Sequence, residues 1–240
     1  MDDVASPSAD QNSPCPLKRR RARRGAGELL REEILDATTE LLLETGHAKE
    51  VSIRAVARRV GVTPPSIYLH FADKDALLDA VCARYFEKLD EQMQRVAAGQ
   101  PSTIDVLRAQ GLAYVEFATH TPELYRLATM SEGRPGSDID ITLNSSAFVH
   151  MRATIEKLMD EGVYPPGDAT MWALELWTAA HGVAAMLIAK PYLPWGDVRE
   201  FADRVLRAVC SGHIVSGIIG SDAAPSDAVA RLKGLANAQN

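Results

Sequence analysis

Alternating runs of Val, Ile and Thr are scarce in this chain of 240 residues, which argues against a sheet-based fold. Cysteine is scarce too. Cys15, Cys82 and Cys210 lie far apart, an odd number with no framework spacing, and no secretory signal is read. A disulfide-stapled domain is therefore excluded and a reduced, cytoplasmic protein is expected. Cys210 and His213 form a C-x2-H pair, but two further ligands are missing nearby, so no metal site and no cofactor are expected. The chain also lacks a Gly-rich phosphate loop and a nucleophile elbow. Its acidic pairs Glu32–Glu33, Asp90–Glu91 and Asp160–Glu161 are adjacent residues, which point to different sides of a helix. These absences argue against an enzyme. Only one apolar run is long enough for a membrane, MWALELWTAAHGVAAMLIA at 171–189. Glu175 and His181 would be costly in lipid and no basic flank precedes the run, so it reads as a helix buried in a soluble protein.

What is present is helix-forming: Ala, Leu, Glu and Arg are plentiful, and 46% of residues are hydrophobic. An all-α chain of about nine helices is expected. The net charge of −6 hides an asymmetry. Residues 18–60 hold 11 basic and 7 acidic side chains, whereas residues 72–240 hold 15 and 22. A positive end on a negative body implies that one end meets a polyanion.

Residues 1–26 read as a disordered tail ending in KRRRARR, where Arg19, Arg20 and Arg21 are placed to follow phosphates or enter a minor groove. GELLREEILDATTELLLETG reads as a first helix, with Leu30, Ile34, Ala37 and Leu41 on one stripe and Gly46 ending it. Ser52 is placed to cap a second helix, IRAVARRV, and Gly61 to make a sharp turn. TPPSIYLHF then reads as a two-turn helix with Thr63 as N-cap. Pro64 and Pro65 start it, since the first helical positions need no N–H. Asp73 is placed to cap a fourth helix of about 25 residues, roughly 37 Å long, suited to join two bodies. Five more helices are expected at about 102–119, 122–130, 138–161, 168–189 and 197–219, and residues 220–240 read as a frayed tail.

Helix, capped helix, glycine turn and short helix at this spacing make a helix-turn-helix over 27–73, with a helical body over 74–219. The stretch VSIRAVARRVGVTPPSIYLHFADKDALLDAV resembles the DNA-binding domain of the TetR family of bacterial repressors. Tyr68, His70, Phe71, Lys74, Leu77 and Leu78 carry the resemblance, which covers about residues 28–90. It implies that Tyr68, His70 and Lys74 reach backbone phosphates. A phenol O–H, an imidazole N–H and an ammonium all donate to anionic oxygen. Ser66 and the amides of the short helix are expected to add donors. Ser52 and Arg54 are expected at phosphates, and Thr63, Pro64 and Pro65 lead into the major groove. The prolines depart from the polar residues frequent in the family and imply reading by apolar contact with thymine methyls. Ile67 and Phe71 read as core, and Leu69 as either core or methyl contact.

The resemblance further implies a homodimer on a palindromic operator, formed by the last two long helices, with Trp177, Ala184, Val205, Val209 and Ile214 as contact candidates. Trp177, His181 and Gly182 resemble a Trp/His/Gly signature in a subset of the family's C-terminal domains. A small hydrophobic or mixed effector is expected in the body, lined by Tyr114, Phe117, Tyr125, Phe148, Met151, Trp172 and His181. Release of the operator would follow from a pivot of the fourth helix. The alternative is a ligand-independent DNA-binding regulator or architectural protein.

Overall fold

The computed structural model describes residues 26–130, 145–220 and 223–238, and among them it contains ten α-helices and no strand. The basic tail and the expected helix start at 138–144 lie outside the described residues. The first four helices are α1 (Ala26–Thr45), α2 (Ile53–Val60), α3 (Pro64–Tyr68) and α4 (Lys74–Ala97). The next three are α5 (Thr103–His120), α6 (Pro122–Met130) and α7 (Ser146–Asp160). The last three are α8 (Ala169–Ala189), α9 (Val198–Ile219) and α10 (Pro225–Ala238).

Two separate cores organise them. The first joins α1, α2 and α3 around Ile34, Leu35, Leu42, Val56, Ile67 and Phe71. The second fills the body between α4 and α9, and α5 runs through its middle against α4, α7, α8 and α9. Gly111 allows part of that packing: a Cβ there would meet Leu206 at 3.2 Å, so its absence lets α5 and α9 approach. Helix α4 belongs to both cores. Leu77 and Val81 seal the first, and Tyr85, Phe86, Leu89 and Met93 enter the second. Its 24 residues span about 36 Å. The short α6 makes a second bridge, with Tyr125 buried in the body while Leu124 and Leu127 pack on the first core.

Local chemistry explains the boundaries. Ser52 Oγ accepts from Ala55 N at 3.2 Å, and Asp73 Oδ1 accepts from Ala76 N at 2.7 Å, so each caps its helix. Gly61 adopts φ 78°, and the following Val62 N–H donates back to Ala57 O at 2.9 Å, closing α2. Several boundaries differ from the sequence reading. Helix α3 has five residues, under two turns. Ser145 is extended and its Oγ accepts from Phe148 N, so α7 begins at Ser146. The stretch read as a frayed tail holds the 14-residue α10, tied to α9 by Arg231 donating to the Ile219 carbonyl. The apolar run is α8, the one described helix long and apolar enough to cross a membrane. It buries one side against α5, α7 and α9, while Met171, Glu175, Thr178, Gly182 and Met186 stay exposed.

Candidate nucleic-acid interface and internal cavity

The short helix α3 is built so that its tips face outward. Ile67 is fully buried and Phe71 nearly so, with the Arg31 guanidinium 5.3 Å above the Phe71 ring. That anchoring turns Tyr68 (52% exposed) and Leu69 (84% exposed) to solvent. The exposure of Leu69 removes the core reading of that residue. His70 is half-buried, and Ser52, Arg54, Thr63 and Pro65 are exposed, while Pro64 and Ser66 are partly covered.

Thr63 occupies the N-cap position, but its side chain does not cap. Pro64 and Pro65 have no N–H to receive, and the Ser66 N–H is taken by the Thr63 carbonyl at 2.9 Å. For the same reason these three residues supply no free amide to a phosphate, contrary to the expectation from sequence. The donors are the hydroxyls instead: Thr63 Oγ1 and Ser66 Oγ sit 3.1 Å apart, a pair that can present one outward O–H. Lys74, at the start of α4, donates from Nζ to the Lys49 carbonyl at 3.4 Å, which leaves its other two protons unassigned to that carbonyl. Arg59 is not available to a phosphate: Glu44 and Glu40 hold its guanidinium, with contacts of 2.6 to 3.1 Å. Hydrogen bonding to Arg59 in turn lowers the Glu44 carboxyl below its ordinary value. Arg84 of α4 likewise ties to Glu32 and Asp36 of α1, fixing the head on the connecting helix.

In the body, a cavity opens between α4, α5, α7, α8 and α9, with about 40 Å³ of space open to a water-sized molecule. Of the expected lining, Tyr114, Phe148 and Met151 face it. Phe117 packs instead on Tyr85, at 5.1 Å between ring centres. Trp172 stacks on His213 at 4.7 Å and packs on Tyr164. Tyr125 and His181 pair with each other. Tyr125 Oη lies 2.9 Å from His181 Nδ1 and 3.1 Å from the His181 carbonyl oxygen. Burial pushes the Tyr125 hydroxyl up to about 12 and holds the His181 imidazole below its ordinary value.

The cavity wall also contains residues that the sequence reading did not select, notably Phe86, Leu89 and Met93 of α4, Gln110 of α5 and Cys210 of α9. Gln110 had a sequence signal: a polar side chain three residues after Leu107 and four before Tyr114, on an inward stripe. Trp177, chosen as a dimer contact, lines the cavity. Ala184 has no exposed surface, and Val205, Val209 and Ile214 pack on their own chain's core. Beyond its first turn, the exposed residues of α9 are Arg204, Arg207, Ala208, Ser211, Gly212, Gly217 and Ile218. No group of three or more His, Cys, Asp or Glu side chains suited to a metal occurs among the described residues, Cys210 and His213 included.

Comparison with known proteins gives this geometry a context. A family model described as bacterial regulatory proteins, tetR family, matches residues 34–81. A second, described as tetracyclin repressor-like, C-terminal domain, matches residues 107–209 and so includes Trp177, His181 and Gly182. Together the two cover more than half of the chain. The helix-turn-helix-type transcriptional regulator Rv0681 of Mycobacterium tuberculosis is 29% identical over 181 residues, 75% of this chain and 80% of that protein. The nucleoid occlusion factor SlmA of Vibrio cholerae is 25% identical over 178 residues, 71% of this chain and 91% of that one. A solved structure of a Rhodococcus sp. RHA1 protein of unknown function superposes with a TM-score of 0.66 at 26% identity, covering 77% of this chain and 95% of that one. Head, body and relatives agree: the chain belongs to the TetR family and is a DNA-binding transcriptional regulator rather than an enzyme.

Proposed function

We propose that two copies of this chain bind a palindromic operator as a cytoplasmic repressor, and that a small molecule entering the body cavity releases them. The observation that carries the reading is the double membership of α4. Leu77 and Val81 seal the head core, and Phe86, Leu89 and Met93 form one wall of the cavity. From Leu77 to Phe86 is about 14 Å along the helix axis. Widening the cavity displaces α4 and with it the head that Arg84 clamps to it. The ligand acts through its differential affinity for the two shapes, and heads that no longer match successive major grooves leave the operator. The contacts of α6 with both cores supply a second route for the same movement.

On DNA, Tyr68, Lys74, Ser52, Arg54 and His70 take phosphates, together with Arg19, Arg20 and Arg21 of the tail. The hydroxyls of Thr63 and Ser66 and the apolar surfaces of Pro64, Pro65 and Leu69 meet base edges. Pairing of subunits uses the outward face of α8 and α9, where Gly182, Ala208 and Gly212 permit close helix approach between Met171, Met186 and Ile218. A ligand-independent DNA-bound factor is the second reading, and the name of the SlmA relative supports it.

The test is a footprint on DNA upstream of the chain's own gene at two salt concentrations, with sedimentation to give the subunit count. The expected result is a protected palindrome, a dimer and a steep salt slope. Protection of a single half-site by a monomer, or no protection at low salt, contradicts the proposal. Release by a small molecule separates the first reading from the second.

A further inference from the structure

Gln110 is a costly residue in its position. It is 2% exposed, it lines the cavity, and its Oε1 has no hydrogen-bond partner. A buried amide oxygen left unpaired is penalised in the free protein, and an apolar residue of the same shape would avoid that. Three other polar side chains of the wall are engaged. Tyr114 Oη leans on His181 Nδ1 at 3.4 Å, Ser145 Oγ caps α7, and Arg108 Nε donates to Asp203. Burial pushes the Cys210 thiol up, so it stays a neutral, weak donor. The one cation on the wall, Arg108, is thus paired, and the remaining surface is hydrocarbon and aromatic.

From this wall we infer that the cavity's ligand is a small, neutral, mostly hydrocarbon molecule with a hydroxyl that donates to Gln110 Oε1. The inference rests on the effector reading above and names the chemistry of its ligand. A carboxylate or ammonium entering this wall would lose its hydration without gaining an unpaired counter-charge. A plain hydrocarbon would leave Gln110 Oε1 unpaired. A neutral donor such as a hydroxyl satisfies it, so Gln110 sets specificity by the penalty it places on molecules without a donor. Size follows from the cavity. The space of about 40 Å³ holds only a few waters, so the ligand must push aside Phe86, Leu89, Phe148 and the adaptable Met93 and Met151. Three of these five lie on α4, so entry of the ligand and movement of the lever are one event.

The experiment uses the full chain and three matched probes, 4-propylphenol, propylbenzene and 4-propylbenzoate, with binding read by calorimetry. The phenol is expected to bind about tenfold more tightly than the other two. In Gln110→Leu the preference for the phenol over propylbenzene should vanish, while the melting temperature holds or rises because an unpaired polar group has been removed. Gln110→Met serves the same purpose should the branched Leu disturb packing. Equal binding of propylbenzene to the unaltered chain, a phenol preference that survives in Gln110→Leu, tightest binding of the benzoate, or binding of none of the three overturns the assignment. Operator release is measured separately. A Gln110-dependent phenol that leaves DNA bound upholds the ligand class and refutes the effector reading. A compound that releases DNA with no dependence on Gln110 does the reverse.

Discussion

The head and the body of this protein are both helical and both have a buried core, yet the two cores are finished differently. In the head, the buried Thr38 hydroxyl donates to the Ile34 carbonyl at 2.7 Å, and no buried side-chain polar atom among the described residues lacks a hydrogen bond. In the body, Tyr85, Gln110, Arg152 and His213 each carry such an atom. His213 and Arg152 lean on carboxylates at 3.5 Å, and Gln110 faces the cavity. The head is a closed scaffold that holds a few exposed tips rigidly. The body tolerates local imperfection, with unpaired polar atoms and a cavity in its interior. On the proposed function, a rigid reading surface and a deformable sensor need opposite kinds of interior, and α4 enters both cores.

The comparison can be broken most severely at Ile67. Truncation by Ile67→Ala opens a cavity under α3 and should destabilise the head by about 2–5 kcal/mol. Chemical denaturation should then show the head transition moving far below that of the body, and a single unshifted transition would mean that the head core is not closed as described. Lys74→Ala leaves the cores alone and should weaken DNA binding of every sequence, with a salt slope shallower by about one counterion. Titrations at several salt concentrations check this, and an unchanged slope removes Lys74 from the phosphate contacts. Leu69→Ala and Pro65→Gln should leave melting within about 0.5 kcal/mol, since both side chains are exposed, and should shift operator preference instead. Selection of binding sites from random DNA reads that shift.

The smallest expected effect is on pH. Burial lowers the affinity of His181 for its proton in the folded body, so the unfolded chain binds more protons below about 6.5. Body stability should fall as pH drops through that value and level off below the folded state's own titration. His181→Gln should flatten the melting profile between pH 7 and 5. His213 shifts in the same direction, with Glu175 opposing the burial, so some slope remains in the variant.

Much of the head was legible in the sequence because its information is local. The caps at Ser52 and Asp73, the left-handed Gly61 and the stripe of Leu30, Ile34, Ala37 and Leu41 each depend on residues within a few turns of each other. Thr63 takes the N-cap position as its sequence suggested, but its side chain makes no cap bond, because two prolines remove two amides and its own carbonyl takes the third, that of Ser66. In the body, periodicity identified inward faces without saying what each face meets. Trp172 and Phe117 are aromatic and partly buried, as expected of lining residues, but they meet His213 and Tyr85. Trp177 and Ala184 lie on the helix chosen for pairing, one at the cavity and the other sealed inside.

The sequence by itself determined the all-helical class, the capped helix-turn-helix, the long connecting helix and the polarity of charge between the two ends. These follow from backbone propensity, capping chemistry and hydrophobic period, all of which act over a few residues. Only the tertiary structure decided that α4 and α6 each enter two cores, that Arg59 is held by Glu40 and Glu44, and that Gln110 faces a cavity without a partner. Those facts depend on the rotation and spacing of helices far apart in the chain. Rotation and spacing are settled by how side chains of several helices fill one volume together, which no single stretch of sequence specifies.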